Sequence, residues 1–473
     1  MYHIPSEYFC RLHHCRPRFK SDVENVLLYM AQEASKIPNG PHNTYSEAFN
    51  RAIRLYPGNE GLAIKTINNW RTEISSLFGF YIEYKDVNLT KTGEMAKVLA
   101  TKQDLVQFFK YFLFTFQYPG GHLKSHEIAN LIDNGVRFKP AKYIISVLIH
   151  GNEKLKDRGK LFSISKAEAT HCIFNDMRVT RDQRSPSDVV DLILVNRQNK
   201  VDYETTSDII RYAGDILDYM VLANLLKESH GYYYINGNEA EAISSLMISD
   251  TWFDGYDKFY NKSYSNAEIN AIRPSWFDYV NNNIDPHSFT TNIADFIQEQ
   301  IPTDEYGEIL TDRILGLFSA DEVKTKDIGD IGESLVIGHE KMRAIECGLE
   351  EYIHLIKKIP TSLAVGYDIQ SLEGTIDKAK RYIEVKSTIS RNKLHYFNVH
   401  LTTNEWESAT TLREHYCIYR LMITSGEMFL YVLKDPVAMY KKDKITMVPK
   451  DGADICFKEE VCEKVPLKLW QQR

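Results

Sequence analysis

Two short segments near the C-terminus constrain the chain most: Leu363-Ala-Val-Gly-Tyr-Asp368 and Tyr382-Ile-Glu-Val-Lys-Ser-Thr388. Both read as β-strands joined through a turn. Successive side chains of a strand point to opposite faces, so Glu384 and Lys386 share one face while Ile383 and Val385 share the other. Asp368 ends the preceding apolar run. Two carboxylates brought together can hold a hard divalent cation, and a lysine beside them can orient or deprotonate a water. These are the parts needed to hydrolyse a phosphodiester, with Asp368 and Glu384 as candidate metal ligands and Lys386 at the water.

The surrounding pattern is that of an α/β core. Residues 327–340 predict an amphipathic helix with Ile331, Leu335, Val336 and Ile337 as its apolar positions. Glu333 lies in its first turns and can complete the metal cage or hold a second ion. Strands follow at 363–368, 381–388 and 396–400, the first two linked by a protruding hairpin. A helix capped near Thr403 spans 404–412, and strands at 416–424 and 429–434 complete a mixed sheet. Glu-x-Lys recurs at Glu83-Tyr-Lys85 and Glu322-Val-Lys324. The former sits in a hairpin with no Asp-ended strand ahead of it, and the latter precedes a helix in a polar stretch.

The preceding residues have a different rhythm. A helix is expected over 21–34, capped by Ser21 with Glu24 three residues later. Helices over 44–54 and 62–77 flank the turn Pro57-Gly-Asn59. Strands at 80–84 and 87–89 make a hairpin, and Thr90 is expected to cap a helix at 95–100. Helix, helix, hairpin, helix is the order of a winged-helix domain. The almost wholly apolar run 104–118 predicts a buried helix. The rhythm returns with helices at 140–150, 166–174 (capped by Ser165), 186–196 and 206–222. A second hairpin, Leu225-Leu226 with 231–236, and a helix at 238–247 follow. Residues 250–310 carry Trp252, Tyr256, Phe259, Tyr260, Tyr264, Trp276 and Phe277 between prolines, and read as a connector packed by aromatic contacts. The expected organisation is multidomain α/β plus α+β: winged-helix-like domains at 1–136 and 137–250, a helical connector at 251–318 and the α/β domain at 319–473.

A chain of 473 residues suits two to four domains. No apolar run approaches a membrane span, and Met1-Tyr-His-Ile-Pro5 lacks the regions of a signal peptide, so a soluble, cytoplasmic protein is expected. The seven cysteines are scattered and odd in number, which argues against a disulfide framework. Cys10 and Cys15 flank His13-His14, but the spacing is wrong for a zinc finger and no second ligand pair lies nearby. The net charge of −7 counts mildly against a nucleic-acid partner without excluding one, since such footprints are local. Basic clusters occur at Arg11, Arg16, Arg18 and Lys20 and at Arg178, Arg181 and Arg184. The second cluster, with Lys65 and Arg71 of the 62–77 helix, supplies the candidate DNA contacts.

Residues 327–435 resemble the PD-(D/E)XK superfamily of restriction-enzyme-like nucleases. The likeness is carried by Gly332-Glu333 on a helix, Gly366-Tyr-Asp-Ile369, Ile383-Glu-Val-Lys-Ser387 and Asn404-Glu-Trp406, with Tyr367 where the family name has proline. It implies Mg2+ held by Asp368 and Glu384 with the Ile383 or Val385 carbonyl, Lys386 at the attacking water and Glu333 as the helix acid; Glu405 is expected to be structural. Phe78-Gly-Phe80, Leu89-Thr-Lys-Thr-Gly93, Gln117-Tyr-Pro119 and Phe138-Lys-Pro140 are similar to the recognition domains of type IIS and nicking restriction endonucleases. Together the resemblances imply a type II restriction endonuclease that hydrolyses double-stranded DNA to 5′-phosphate ends, as a homodimer where both strands are cut. Two alternatives stand beside it: an endonuclease directed to methylated cytosine, and a non-cleaving DNA-binding subunit in defence or regulation.

Overall fold

The computed structural model describes residues 1–282, 289, 291 and 328–468, except 15, 18, 375–378, 396 and 450. Cys15, Arg18, Glu322-Val-Lys324, the later part of the expected connector and the tip of the 363–388 hairpin lie outside the described residues. Two compact units form, one from residues 1–101 and 105–289, the other from 102–104 and 290–473. The sequence boundaries at 136 and 250 fall inside the first, and the boundary at 318 lies outside the described residues.

The first unit begins with helices α1 (Val23–Lys36), α2 (His42–Leu55) and α3 (Ile64–Thr72), the hairpin β1 (Tyr81–Tyr84) and β2 (Leu89–Thr92), α4 (Glu94–Lys102) and α5 (Leu105–Thr115). It continues through α6 (Ser125–Asp133), α7 (Pro140–Leu155), β3 (Ile164–Ser165), α8 (Lys166–Ala169), α9 (Met177–Thr180), α10 (Pro186–Gln198) and α11 (Ser207–Leu222). The hairpin β4 (Leu226–Ser229) and β5 (Tyr232–Ile235) precedes α12 (Ala240–Ile248), α13 (Asn266–Ala271) and α14 (Arg273–Asn282). As its composition requires, α5 is buried on nearly every side.

Two expected caps differ. The first helix starts at Val23, because Ser21 sits in a short 3-10 turn and Asp22 takes the cap position, tied to Asn25 at 2.7 Å. Thr90 caps nothing. It lies within β2, where its N–H and C=O pair with Gly40 at 2.7 and 3.1 Å, so its backbone groups are committed to a strand. Ser165 does cap α8: its Oγ accepts from Glu168 N–H at 3.2 Å and Glu168 returns a bond to Ser165 N–H at 2.9 Å. In both halves of the unit, the second hairpin strand gains a partner from earlier in the chain. Gly40 bridges to β2, and β3 pairs with β5 in the order β3-β5-β4.

The cluster Arg11, Arg16 and Lys20 is turned to internal use. Asp215, fully buried, accepts from Arg16 Nε at 2.8 Å and from Lys20 Nζ, and lies 3.4 Å from His14. Burial alone would raise this carboxyl, but His14 and Lys20 hold it at about 2. Arg11 donates to the Asp208 carbonyl.

The second unit opens with α15 (Ile328–Glu346). It continues with β6 (Lys357–Lys358), β7 (Ile369–Leu372), β8 (Lys380–Ile389), β9 (Phe397–Thr402), α16 (Thr403–Leu412), β10 (Tyr416–Thr424) and β11 (Glu427–Lys434). Then come α17 (Pro436–Lys441), β12 (Thr446–Pro449), β13 (Gly452–Phe457) and β14 (Glu463–Pro466). Six strands form one mixed sheet in the order β14-β11-β10-β8-β7-β6, in which β8 and β10 are parallel and the other pairs antiparallel. Every residue of β10 is buried, as expected of a central strand covered on both faces. On the Ile383/Val385 face lies α15, where Gly332 approaches Ser387 too closely to admit a Cβ. On the Glu384/Lys386 face lies α16, capped by Thr402 rather than Thr403, with Glu405 completing a capping box. Gln103 and Asp104 join this sheet at Ile389 although they come from between α4 and α5. Ile389 N–H donates to the Gln103 carbonyl at 3.3 Å, and the Gln103 side chain accepts from Thr388 at 3.0 Å and from Arg420.

Candidate active site

Asp368 does not end a strand; it heads one. The expected strand 363–368 is instead a turn and a loop, because Ala364 and Gly366 have φ of +46° and +75°, which breaks extended structure. Leu363, which starts the apolar run, is 61% exposed. The loop is pinned to α16 and β10: the Ser408 hydroxyl donates to the Val365 carbonyl at 2.8 Å and Tyr416 OH to the Gly366 carbonyl at 3.2 Å. A Cβ on Gly366 would collide with the backbone of Asn404. Gly366→Ala is therefore expected to cost about 1–3 kcal/mol, from a strained φ and a displaced loop, measured as a lower unfolding midpoint of the full chain. An unchanged midpoint would mean that the loop relaxes without penalty.

Asp368 enters the sheet through its backbone. Its N–H donates to the Ile383 carbonyl at 2.9 Å and its carbonyl accepts from Ile359 N–H at 2.7 Å. Its Oδ2 accepts from Val385 N–H at 2.8 Å, which fixes the carboxylate against the strand that carries Glu384 and Lys386. On that strand, Lys386 Nζ donates to Glu384 Oε1 at 2.7 Å and to Glu405 Oε2 at 3.2 Å. The structure thus brings Asp368, Glu384 and Lys386 together. It adds Glu405, which serves both as the α16 cap partner and as an anchor for the lysine.

The electrostatics are those of a site short of positive charge. Burial pushes the Glu384 carboxyl well up, and Asp368 adds to this while Lys386 opposes it. Asp368 is raised by burial as well, against the Val385 N–H and Lys386, with Glu405 also raising it. Burial alone would lower Lys386, but Glu384 and Glu405 hold it above the usual lysine range, so at neutral pH it is an ammonium and a hydrogen-bond donor rather than a base. Tyr367 and Tyr382, next in sequence to Asp368 and near Glu384 on β8, pack edge-on with their centroids 4.8 Å apart.

Glu333 has a lysine partner. Its Oε2 lies 2.7 Å from Lys358 Nζ, which also reaches Asp330 Oδ1 at 2.7 Å. Burial raises the Glu333 carboxyl, Lys358 lowers it and the Asp368 charge raises it further. Among the described residues, no three His, Cys, Asp or Glu side chains are disposed together to hold a metal ion. Lys358 was invisible to pattern reading, since its partners lie on a helix some 25 residues upstream.

The basic residues singled out as DNA contacts are in the first unit. Arg178 is engaged bidentately by buried Asp176, with Nε and Nη2 contacts at 2.8 and 2.6 Å, and lies over the Tyr8 ring. Arg181 is held by Asp182 at 2.7 and 2.9 Å. Arg184 is half-buried and Lys65 stands exposed on α3. Arg71, near Asn50 at 3.5 Å, lines a cavity of about 870 Å³ between β1 and the α13–α14 segment. No helix among the described residues is long and apolar enough to cross a membrane.

Comparison with known proteins gives two family matches. The model described as restriction endonuclease BpuJI, N terminal, matches residues 2–277, and that described as protein NO VEIN, C-terminal, matches residues 332–432. Among solved structures, the BpuJ1 endonuclease binding domain, crystallised in complex with pyrene- and phenanthrene-modified DNA, is similar to this chain at 22% identity with a TM-score of 0.52. The match covers 59% of this chain and 100% of that one, and at this identity it is a likeness of fold. No curated protein matches.

Proposed function

We propose, from the premise that this chain belongs to the restriction endonuclease BpuJI N-terminal family, that it is a type II restriction endonuclease whose first unit reads double-stranded DNA and whose second unit cuts it. The observation that carries the reading is the fixed set Asp368, Glu384 and Lys386 on adjoining strands of a mixed sheet, with Val385 N–H and Glu405 holding its members in place. The same set supports assigning the second unit to the PD-(D/E)XK nucleases.

Three carboxylates, Asp368, Glu384 and Glu405, face one ammonium, and the hard oxygen donors of the first two fit Mg2+. Bound there, Mg2+ would supply Lewis-acid polarisation of the scissile phosphate and charge stabilisation at the leaving oxygen. Val385 N–H orients the Asp368 carboxylate. Lys386, with two of its three N–H groups spent on Glu384 and Glu405 among the described residues, has one left to orient the attacking water or a phosphate oxygen. Its raised pKa supports orientation rather than deprotonation.

In the first unit, the first hairpin is joined by a single bridge at Gly40 and the second by the short strand β3, each from ahead of the intervening helices, which supports the winged-helix reading. On that reading α3, with Lys65 exposed and Arg71 beside it, precedes the first hairpin as a candidate DNA-reading helix. Arg178 and Arg181, neutralised by Asp176 and Asp182, offer less net charge to phosphates than their number suggests. Cutting both strands with one site per chain calls for a homodimer or successive nicking.

The test is incubation of supercoiled plasmids, methylated and unmethylated, with the full chain and Mg2+. The expected result is site-specific cleavage with 5′-phosphate ends that disappears with a chelator. Cleavage confined to methylated plasmid supports the modification-directed alternative, and shifted but uncut DNA supports the non-cleaving one.

A further inference from the structure

Glu333 lies on the helix that packs against β8, and its carboxyl feels the charge of Asp368. Unpaired, a third acid would be an oxygen donor available to a metal ion. Here it is occupied: Lys358 Nζ sits 2.7 Å from both Glu333 Oε2 and Asp330 Oδ1, two acids one helical turn apart on α15. Lys358 is delivered by β6, the strand paired with β7. Lys358 stands opposite Ile369 in that register, and the next residue, Ile359, donates its N–H to the Asp368 carbonyl. The ammonium is thus held at the sheet edge beside the catalytic aspartate, with its side chain 40% exposed.

We propose, resting on the nuclease reading above, that this site takes one divalent cation on Asp368 and Glu384, and that the Lys358 ammonium stands where a second cation would be held. The charges agree. Asp368, Glu384 and Glu405 against Lys386 leave two negative charges, which one divalent cation balances. Asp330 and Glu333 against Lys358 leave one negative charge, short of the two that another divalent cation would balance. A lysine is a compact point charge with rotatable donors, suited to bridging two carboxylates as a metal ion does. Glu333 is then a positioning residue for Lys358 rather than a metal ligand.

Metal stoichiometry tests this without relying on cleavage. The full chain is titrated with Mn2+ while the free ion is followed by electron paramagnetic resonance. The wild type is expected to bind one ion, which Asp368→Asn abolishes and Glu333→Gln leaves in place. Lys358→Met is expected to gain a second ion, lost again in Lys358→Met/Glu333→Gln. Two ions in the wild type, the second lost in Glu333→Gln, overturn the proposal, as does a Lys358→Met protein that still binds one. A wild type that binds no ion, or whose ion survives Asp368→Asn, removes the nuclease reading itself and this inference with it. The Glu333→Gln result in the otherwise native chain keeps the test decisive if Lys358→Met folds poorly.

Discussion

Replacing Lys386 by methionine is expected to slow DNA cleavage by roughly a hundred- to ten-thousand-fold at saturating Mg2+, with DNA binding unchanged. Methionine preserves most of the stem's volume and removes only the ammonium. That ammonium is the sole positive charge in direct contact with Glu384 among the described residues, at 2.7 Å, and it is aimed by Glu405 at 3.2 Å. Its loss leaves three carboxylates facing one another, so the reacting water has no donor to orient it. The effect should fall on the single-turnover rate and not on DNA affinity, because the role proposed for Lys386 is where charge develops and not where sequence is read. Arginine is not expected to rescue: its planar fork cannot reproduce a point charge bridging Glu384 and Glu405. A Lys386→Met enzyme that cuts at the wild-type rate would sink the mechanism.

The site was legible where its chemistry is local. Glu384 and Lys386 are two apart on one strand, and the alternation with Ile383 and Val385 places both on one face whatever the tertiary context. Asp368 was legible as a partner but not in its position. An apolar run ending in aspartate reads as a strand, and only the positive φ of Ala364 and Gly366 shows that the run is a loop and the strand begins after it. Glu405 was read as structural, and it is, as the cap of α16; its second contact, to Lys386, depends on where that helix packs and leaves no trace in its own neighbours. The same holds for Lys358, for Thr90 pairing with Gly40, and for Arg16 and Lys20, whose partner Asp215 lies about 200 residues on. Solvated basic surface and a buried ion pair have the same local sequence. Gln103 is the extreme case: it sits between two helices of the first unit, and nothing local marks it as part of the second unit's sheet.

Glu340→Ala is expected to be the most destabilising substitution on the opposite face of that sheet, at about 3–5 kcal/mol. Glu340 is fully buried on α15 and accepts from Ser371 Oγ at 2.6 Å, Tyr419 OH at 2.9 Å and Arg343 at 3.0 and 2.7 Å. Tyr419 OH in turn accepts from Arg381 at 2.7 Å, and Arg381 is shared with Glu373. Removing this carboxylate therefore leaves two buried hydroxyls, Ser371 on β7 and Tyr419 on β10, without this acceptor and takes the carboxylate partner from Arg343 on α15. Burial alone would raise the Glu340 carboxyl, but Arg343 holds it below the usual glutamate range. Because the folded pKa is depressed, this contribution is present above the unfolded glutamate value and is lost as pH falls through the folded one. The loss should appear as amide hydrogen exchange in β8 and β10 faster by roughly a hundred- to several-thousand-fold at neutral pH, with the gap from wild type narrowing on acidification. A gap that widens as pH falls would mean that Glu340 is carried protonated in the fold and that the Arg343 pair contributes nothing to holding α15 on the sheet.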